Sequence, residues 1–320
     1  MSTGAGSAGA GNAGAGSGGL FTFGETMGLV AADGIGPIEH VRGFTFAIGG
    51  AESNVAIGVA RLGGAATWLG RVGPDATGDL IQRRLRAEGV TTLAVRDDAF
   101  TGLMVRHRRT GALTHVDYHR AGSAGSRLQP SDLPPFDFDI LHVTGITPAL
   151  SDSARVTVFE AVERARAAGV TVSVDVNFRA KLWSRFDAAP VLRDLVSRAD
   201  IAFAGPDEAA IFLAGGDPVA GLAELGPAEV VVKDGARGCA ALIEGRRYAV
   251  PALPATVVDP VGAGDAFVAG YLADRMAGAP VEARLRTAIA AGAFAVTVPG
   301  DCEGLPRRDD LVAATDNVSR

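Results

Sequence analysis

The sequence predicts an α/β fold with three layers (α/β/α), built on a central, mostly parallel sheet with a small second sheet as a lid. Two observations predict this class. From about residue 138 onwards, apolar strand patterns alternate with helical patterns, which implies crossover connections and a sheet covered on both faces. Two earlier segments, 29–48 and 101–120, alternate apolar and polar residues instead, as a half-exposed sheet does.

The first half of the chain begins with a predicted strand at Leu20-Phe-Thr-Phe23. Glu52 to Leu62 is predicted to be a helix, because Ala, Val and Ile recur at helical spacing and two glycines follow as a stop signal. Segment 101–120 is predicted to form a hairpin that turns at Thr110-Gly111. Residues 20–320 are therefore expected to form one domain, with lid segments at about 29–48 and 101–120.

The second half supplies the parallel strands and the helices that join them. Strands are predicted at 140–144, 170–176, 200–204 and 229–233, with paired strands over 239–250. Helices are predicted at 151–168, 187–198, 207–214, 264–277 and 281–296. Such sheets bind ligands at the carboxyl ends of their strands, and every motif below falls at such an end.

The composition indicates a globular protein. Of the 320 residues, 48% are apolar, and the net charge of −6 argues against a nucleic-acid or anionic-membrane partner. Cys239 and Cys302 lack zinc or redox spacing, so we interpret them as buried thiols in a reducing compartment. Residues 1–19 are almost entirely Gly, Ala and Ser, which predicts a disordered tail rather than a signal peptide. No apolar run reaches membrane-spanning length, and a cytoplasmic location is expected.

The most informative motif is Asp259-Pro-Val-Gly-Ala-Gly-Asp265, which precedes an apolar run. It predicts a tight turn that opens a helix with a carboxylate in its first turn. Unpaired N–H groups at a helix N-terminus bind anions, and Gly262 and Gly264 would let a phosphate approach the backbone. A carboxylate beside a phosphate is explained if it accepts the proton of an attacking hydroxyl. On spacing alone, simple helix capping explains the motif equally well.

Two further motifs combine glycine with polar residues. In the stretch 47–56, Asn54 either caps a helix or binds a substrate hydroxyl, with Gly50 letting the substrate lie against the backbone. In the stretch 70–79 we favour a structural loop in which Asp75 caps the next helix.

Polar residues also follow predicted strands. Asp175-Val-Asn-Phe-Arg179 follows a buried strand, so its Asp, Asn and Arg are predicted to point the same way and to bind a ligand. Tyr118-His-Arg120 is either a solvated sheet face or a site where Arg forms forked hydrogen bonds with a carboxylate.

Two motifs remain open between structure and nucleotide binding. Glu208 either complements a helix dipole or orders water bound to Mg²⁺ near phosphates. The stretch 231–238 is either a plain hairpin or a turn along which a nucleotide lies. The sequence has no P-loop, no dinucleotide fingerprint, no zinc-ligand spacing of His and no Gly-x-Ser-x-Gly elbow.

Together these motifs resemble the PfkB, or ribokinase-like, family of carbohydrate kinases over essentially all of residues 20–310. The two signatures are Gly49-Gly-Ala-Glu-Ser-Asn54 with Gly63, and the motif that ends at Asp265. Within the family, five stretches resemble the 2-keto-3-deoxygluconate kinases: 49–56, 120–126, 141–151, 177–183 and 300–306. The resemblance implies a ribokinase-like fold with a β lid that often also forms a dimer contact. It also implies ATP-dependent phosphorylation of the terminal C6 hydroxyl of that keto acid.

The resemblance further implies a role for each candidate residue. Asp265 would be the catalytic base, and Gly262, Ala263 and Gly264 would form the anion hole. The residues that would hold the sugar acid are Gly50, Asn54, Tyr118, Arg120, Arg179 and Asp301. The residues that would border ATP are Asn177, Lys233, Gly235, Gly238, Gly262 and Gly264. Glu208 would reach Mg²⁺ through water, and a K⁺ ion near the anion hole is left open.

Three positions depart from the family pattern. Met104 stands where similar kinases often carry a substrate-contacting Tyr, Ile289 where Asn is common beside the nucleotide, and Gly205 where Asn precedes the glutamate. These departures concern the assigned substrate, adenosine and magnesium contacts and leave the base and the anion hole in place.

Arg120 and Arg179 favour an acidic acceptor, because a buried carboxylate needs a cation. The expected partners are a small sugar acid and ATP, without nucleic acid or membrane, in a homo-oligomer formed through the lid. A fructokinase or another ketose kinase of the family is the nearest alternative. A nucleoside kinase and a sugar-binding regulator without turnover are the others.

Overall fold

The computed structural model describes residues 18–110 and 113–317; residues 1–17 of the predicted tail and the turn residue Gly111 lie outside this part. The described residues form thirteen strands: β1 (Leu20–Phe23), β2 (Met27–Ile35), β3 (Phe44–Gly49), β4 (Ala66–Val72), β5 (Thr91–Arg96), β6 (Leu103–Arg108), β7 (Thr114–His119), β8 (Ile140–Thr144), β9 (Thr171–Asp175), β10 (Ile201–Ala204), β11 (Glu229–Lys233), β12 (Cys239–Ile243) and β13 (Arg246–Val250). The same residues form nine α-helices: α1 (Ala51–Arg61), α2 (Ala76–Ala87), α3 (Asp152–Ala167), α4 (Arg185–Ser197), α5 (Pro206–Ala209), α6 (Pro218–Ala223), α7 (Ala263–Met276), α8 (Val281–Ala295) and α9 (Arg308–Asn317).

Nine of these strands form one large sheet in the order β13-β12-β11-β10-β9-β8-β1-β4-β5. The strands from β11 to β5 in that order pair in parallel, and β12 and β13 add an antiparallel edge. The predicted α/β class with a mostly parallel sheet is therefore confirmed.

Two apolar cores cover the two faces of the large sheet, because successive strand residues point to opposite sides. On one face, the strand residues Trp68 and Phe203 pack with the apolar faces of α1, α2, α7 and α8. On the other face, strand residues such as Phe21 and Leu141 pack with α3, α4 and α6. This arrangement gives three layers and leaves the carboxyl edge of the parallel strands open for a site.

The second sheet has four strands in the order β3-β2-β6-β7 and is built from the two segments predicted as a lid. One of its faces carries Met27, Leu29 and Met104, which form a small apolar cluster of their own. Strand β3 ends at Gly49 and α1 begins at Ala51, so a single residue joins this sheet to the helix that carries Asn54.

Most predicted elements are confirmed within a few residues, but the helix predicted at 207–214 is wrong in length. Helix α5 ends at Ala209. Beyond it the backbone forms single turns with hydrogen bonds between residues three apart, such as the bond from the N–H of Ile211 to the C=O of Glu208. The prediction also omitted β4, β5, α6 and α9. In the described residues, no helix is long and apolar enough to cross a membrane.

Candidate active site

A cavity of about 1170 Å³ lies between the carboxyl edge of the large sheet and the apolar face of the second sheet. All of the residues predicted to form the site line this cavity: Gly50, Asn54, Tyr118, Arg120, Asn177, Arg179, Glu208, Lys233, Gly235, Gly238, Gly262, Ala263, Gly264, Asp265 and Asp301. They come from positions up to 251 residues apart in the chain, between Gly50 and Asp301. The structure thus brings the predicted residues to one place, while the role of each stays a prediction.

The anion-hole segment begins α7, with Gly262 as its N-cap in the left-handed conformation at φ 77°. A Cβ at Gly262 would clash with the carbonyl oxygen of Asp301, so only glycine fits this turn. The first N–H groups of a helix have no intrahelical partner and carry the positive end of the helix dipole. The N-terminus of α7 therefore offers an anion site inside the cavity.

Asp265 lies in the first turn of α7 and is only 8% exposed. Its Oδ2 accepts a 2.8 Å hydrogen bond from Nδ2 of Asn54, and its Oδ1 lies 3.5 Å from Nδ2 of Asn177. Burial raises the pKa of Asp265 to about 7, the negative charge of Asp301 adds to the rise, and the hydrogen bond from Asn54 opposes it. A carboxylate with this pKa can accept a proton near neutral pH.

Asp301 is a second, half-buried carboxyl at the same end of the cavity. Burial raises its pKa to about 6, and the positive charge of Arg106 and the amide of Asn54 oppose the rise. Its carboxylate lies against Gly49, where a Cβ would clash with it. Asn54 therefore lies between two acidic groups rather than being a simple helix cap.

Lys233 adds a cation beside the helix N-terminus. Its Nζ lies 2.6 Å from Oδ2 of Asp175 and 3.5 Å from the position of a Cβ on Gly264. Although burial opposes ionisation, the charges of Asp175 and Glu208 raise the pKa of Lys233. The ammonium group is thus kept charged next to the predicted anion hole.

The prediction that Asp175, Asn177 and Arg179 point the same way is wrong. Strand β9 ends at Asp175, and Asn177 adopts a positive φ of 38°, so strand alternation stops. Asp175 pairs with Lys233, while Asn177 and Arg179 reach the cavity through the loop.

The two arginines predicted to hold a carboxylate differ in their environments. Arg120 is already paired: its Nε donates a 2.6 Å hydrogen bond to Oε2 of Glu25, a buried carboxylate that also accepts from Ser123. Arg179 bonds only its neighbour, the carbonyl of Phe178, at 3.2 Å, and no described carboxylate forms an ion pair with it. Arg179 is therefore a cavity cation without an ion-pair partner among the described residues, as is Lys181, and the charge of Arg179 opposes the rise in the pKa of Asp265.

Glu208 caps its own helix. Its two carboxylate oxygens accept hydrogen bonds from the N–H groups of Gly205, at 2.7 Å, and Phe178, at 3.0 Å. Across the described ranges, no group of three or more His, Cys, Asp and Glu side chains is arranged to hold a metal ion. Mg²⁺ is commonly bound through substrate phosphates and water, and the remaining lone pairs of Glu208 fit such an indirect contact.

Several cavity residues were missed by the sequence prediction. Arg106 reaches the cavity from β6 and lies 3.3 Å from Asp259. Arg106 lies two residues after Met104 on the same strand, so both side chains point to the same face of the sheet, and this alternation could have indicated Arg106. Glu52 was also missed; it accepts hydrogen bonds from Thr144 and Thr147 and is fully enclosed. The far end of the cavity is lined by apolar residues of the loop 252–257, for which no motif gave a signal, and of α8, including Ile289, which the family resemblance places beside the nucleotide.

Comparisons with known proteins agree with this geometry. The model of the pfkB family carbohydrate kinases matches residues 19–308. The chain is 34% identical to a 2-dehydro-3-deoxygluconokinase of Bacillus subtilis over 310 residues, which cover 91% of this chain and 94% of that protein. It is 36% identical to a 2-dehydro-3-deoxygalactonokinase of Haloferax volcanii, with 88% and 92% of the two chains covered.

The chain is also similar to fructokinases and to solved structures of the same fold. A fructokinase of Klebsiella pneumoniae is 38% identical over 287 residues, which cover 82% of this chain and 90% of that protein. The crystal structure of a PfkB protein from Polaromonas sp. JS666 superposes with a TM-score of 0.84 at 34% identity, covering 92% and 99% of the two chains.

Proposed function

Because the chain belongs to the pfkB family of carbohydrate kinases, we propose that it transfers the γ-phosphoryl group of ATP to the terminal C6 hydroxyl of 2-keto-3-deoxygluconate. The observation that carries the substrate class is Arg179, a cavity cation without a carboxylate partner among the described residues. A carboxylate on the acceptor supplies that partner, and Arg binds carboxylates through two parallel hydrogen bonds. The relatives named for 3-deoxy keto acids support the same class.

Asp265 is the proposed base. Its carboxylate, held by the amide of Asn54 at 2.8 Å, accepts the proton of the C6 hydroxyl as that oxygen attacks the γ-phosphorus. The new oxygen–phosphorus bond forms as the bond from the γ-phosphorus to the bridging oxygen breaks, and ADP leaves. A pKa of about 7 leaves a large part of Asp265 ionised at neutral pH.

The N-terminus of α7 and Lys233 stabilise the charge on the phosphoryl group that is transferred. Both are fixed before the reaction, the helix turn by Gly262 and the ammonium by Asp175. Fixed groups of this kind supply most of the acceleration in phosphoryl transfer. Mg²⁺ bound to the phosphates would neutralise further charge there, and Glu208 is the residue that would hold its water.

A ketose kinase such as a fructokinase is the second candidate. The Klebsiella pneumoniae relative supports it, and so does Glu25, which neutralises one of the two predicted arginines. A regulator without turnover is disfavoured, because Asp265 and its supporting amides are present together in the cavity.

The experiment is a panel of acceptors in an ADP-release assay: 2-keto-3-deoxygluconate, 2-keto-3-deoxygalactonate, fructose and a nucleoside. We expect the highest kcat/KM with a 3-deoxy keto acid, and ³¹P-coupled NMR of the product to place the phosphate on C6. A preference for fructose would refute 2-keto-3-deoxygluconate as the substrate and favour a ketose kinase. The absence of turnover with every acceptor would favour a regulator. Chelation with EDTA tests the magnesium requirement, and exchange of NaCl for KCl tests potassium.

We further propose that the chain forms a homo-oligomer through the second sheet. The face turned away from the cavity exposes Phe44 and Phe46, which are 46% and 49% exposed, and exposed apolar patches mark interaction sites. Light scattering is expected to give a dimer or larger species that Phe46→Glu dissociates; a monomeric wild type would refute the contact.

Because the proposed reaction consumes ATP, we place the protein in the cytoplasm.

A further inference from the structure

We infer that Met104, together with the apolar side chains beside it, selects an acceptor that lacks a hydroxyl at C3. This inference rests on the proposed function and assigns a specificity-determining residue to the same site. It is carried by the position of Met104 relative to the acidic groups of the cavity and by the apolar character of its surroundings.

Met104 belongs to an apolar wall on the cavity side of the second sheet. It lies opposite Leu29 on one neighbouring strand and Tyr118 on the other. Met27, Leu29 and Met104 are all less than 10% exposed and form one contact cluster, against which Val116 packs. All five residues line the cavity.

The methyl group of Met104 lies at the acceptor end of the cavity rather than at the nucleotide end. A Cβ on Gly49 would clash both with Cε of Met104 and with Oδ2 of Asp301, so the methyl group and that carboxylate are close neighbours above Gly49. Asp301 is linked in turn to Asp265, since Asn54 contacts Asp265 at 2.8 Å and influences the pKa of Asp301. An acceptor that reaches the base therefore passes the Met104 methyl group.

The acceptor end thus combines polar groups, among them Arg106 on the same strand as Met104, with an apolar wall around Met104. Asn54, Asp301 and Arg179 can pair with hydroxyls and a carboxylate. A hydroxyl that faces the methyl group of Met104 and points away from Asp301 and Arg106 would lose its water without gaining a partner. In a 2-keto-3-deoxy acid, C3 is the one carbon of the chain without oxygen, and it matches the apolar wall.

The test compares two acceptors that differ by one hydroxyl, 2-keto-3-deoxygluconate and 2-ketogluconate, which carries a hydroxyl at C3. We expect wild-type kcat/KM to favour the deoxy acid by about 10–200-fold, the range in which an apolar pocket discriminates. Met104→Gln keeps the length of the side chain and adds a donor and an acceptor, so it should lower that ratio about tenfold or more. Met104→Leu keeps the wall apolar and should retain the ratio. Val156→Thr, at an exposed residue of α3 that does not line the cavity, is the surface control.

The outcomes separate this inference from the proposed function. If the wild type does not phosphorylate 2-keto-3-deoxygluconate, the proposed function fails and this inference fails with it. If the wild type prefers the deoxy acid but Met104→Gln keeps the wild-type ratio, only the role of Met104 is refuted. The shorter Met104→Asn serves as the polar variant if Met104→Gln does not fold, as judged by circular dichroism and thermal melting.

Discussion

Asn54 gives the sharpest prediction about the proposed base, because its amide donates a 2.8 Å hydrogen bond to the buried carboxylate of Asp265. This bond favours the ionised form and opposes the burial that raises the pKa of Asp265 to about 7. Asn54→Ala removes the bond, so the pKa of Asp265 should rise further. The base then needs a higher pH to become ionised.

The expected size of the pKa shift follows from the type of hydrogen bond, which is made to a charged group. A hydrogen bond to a charged group contributes about 1.5–3 kcal/mol, and one pKa unit corresponds to about 1.4 kcal/mol. The acidic limb of the kcat profile should therefore move up by about 1–2 units, from a midpoint near pH 7 to about pH 8–9. At pH 7 the ionised fraction would fall from about half to about 1–10%, which lowers kcat about 5–50-fold, and the loss should disappear at higher pH.

The assay is kcat at saturating substrates from pH 5.5 to 9.5. Ser53→Ala is the matched control, since Ser53 lies in the same helical turn and bonds only the carbonyl of Gly50 at 2.9 Å; its acidic limb should stay at the wild-type pH. If kcat of Asn54→Ala falls by the same factor at every pH, Asn54 acts on the acceptor rather than on Asp265, and the reasoning is refuted.

The remaining predictions concern the base, the cation and the helix turn. Asp265→Asn should lower kcat by about 10²–10⁴-fold with the Kd for ATP nearly unchanged in calorimetry; near-normal turnover would remove Asp265 as the base. Because the folded pKa of Asp265 lies above its ordinary value of 3.8, ionisation costs stability as pH rises from about 4 to about 7, so the Tm gain of Asp265→Asn should be larger at pH 8 than at pH 4. Arg179→Ala should raise KM for the sugar acid far more than KM for ATP, with Arg193→Ala, an exposed arginine that bonds the carbonyl of Phe212, as control; equal rises in both KM values would speak against a carboxylate partner. Gly262→Ala should lower Tm and activity more than Gly278→Ala, because both glycines have φ near 70–77° but a Cβ meets a carbonyl oxygen only at Gly262; equal losses of Tm would show that the close contact is relieved without cost.

Much of the fold was predictable because its signals are local. The alternation of strand and helix patterns from residue 138 onwards gave the parallel sheet, and Ser151 as an N-cap marked the start of α3. Strand β4 was missed because it is nearly buried on both faces, and strand β5 because its inner residues are all half-buried, so neither shows alternation, and a short run without alternation does not by itself distinguish strand from helix.

The candidate site was predictable as a set of residues but not as a set of contacts. Glycine turns and polar residues at strand ends are visible in one sequence, so every predicted site residue was placed in the cavity. Which arginine is neutralised depends on Glu25, 95 positions away from Arg120, and no local pattern contains that pairing. The apolar wall with Met104 likewise arises from three strands that meet only in the folded sheet.

The junction at Gly50 has a consequence for how the enzyme treats ATP when no sugar is present. The strand that forms part of the cover over the acceptor continues through this one residue into the helix whose Asn54 orients Asp265. A displacement of the cover is therefore passed directly to the group that aligns the proton acceptor. In the proposed reaction, water that enters the cavity after such a displacement would meet a carboxylate that Asn54 no longer holds, so we expect the junction to suppress hydrolysis of ATP in the absence of an acceptor.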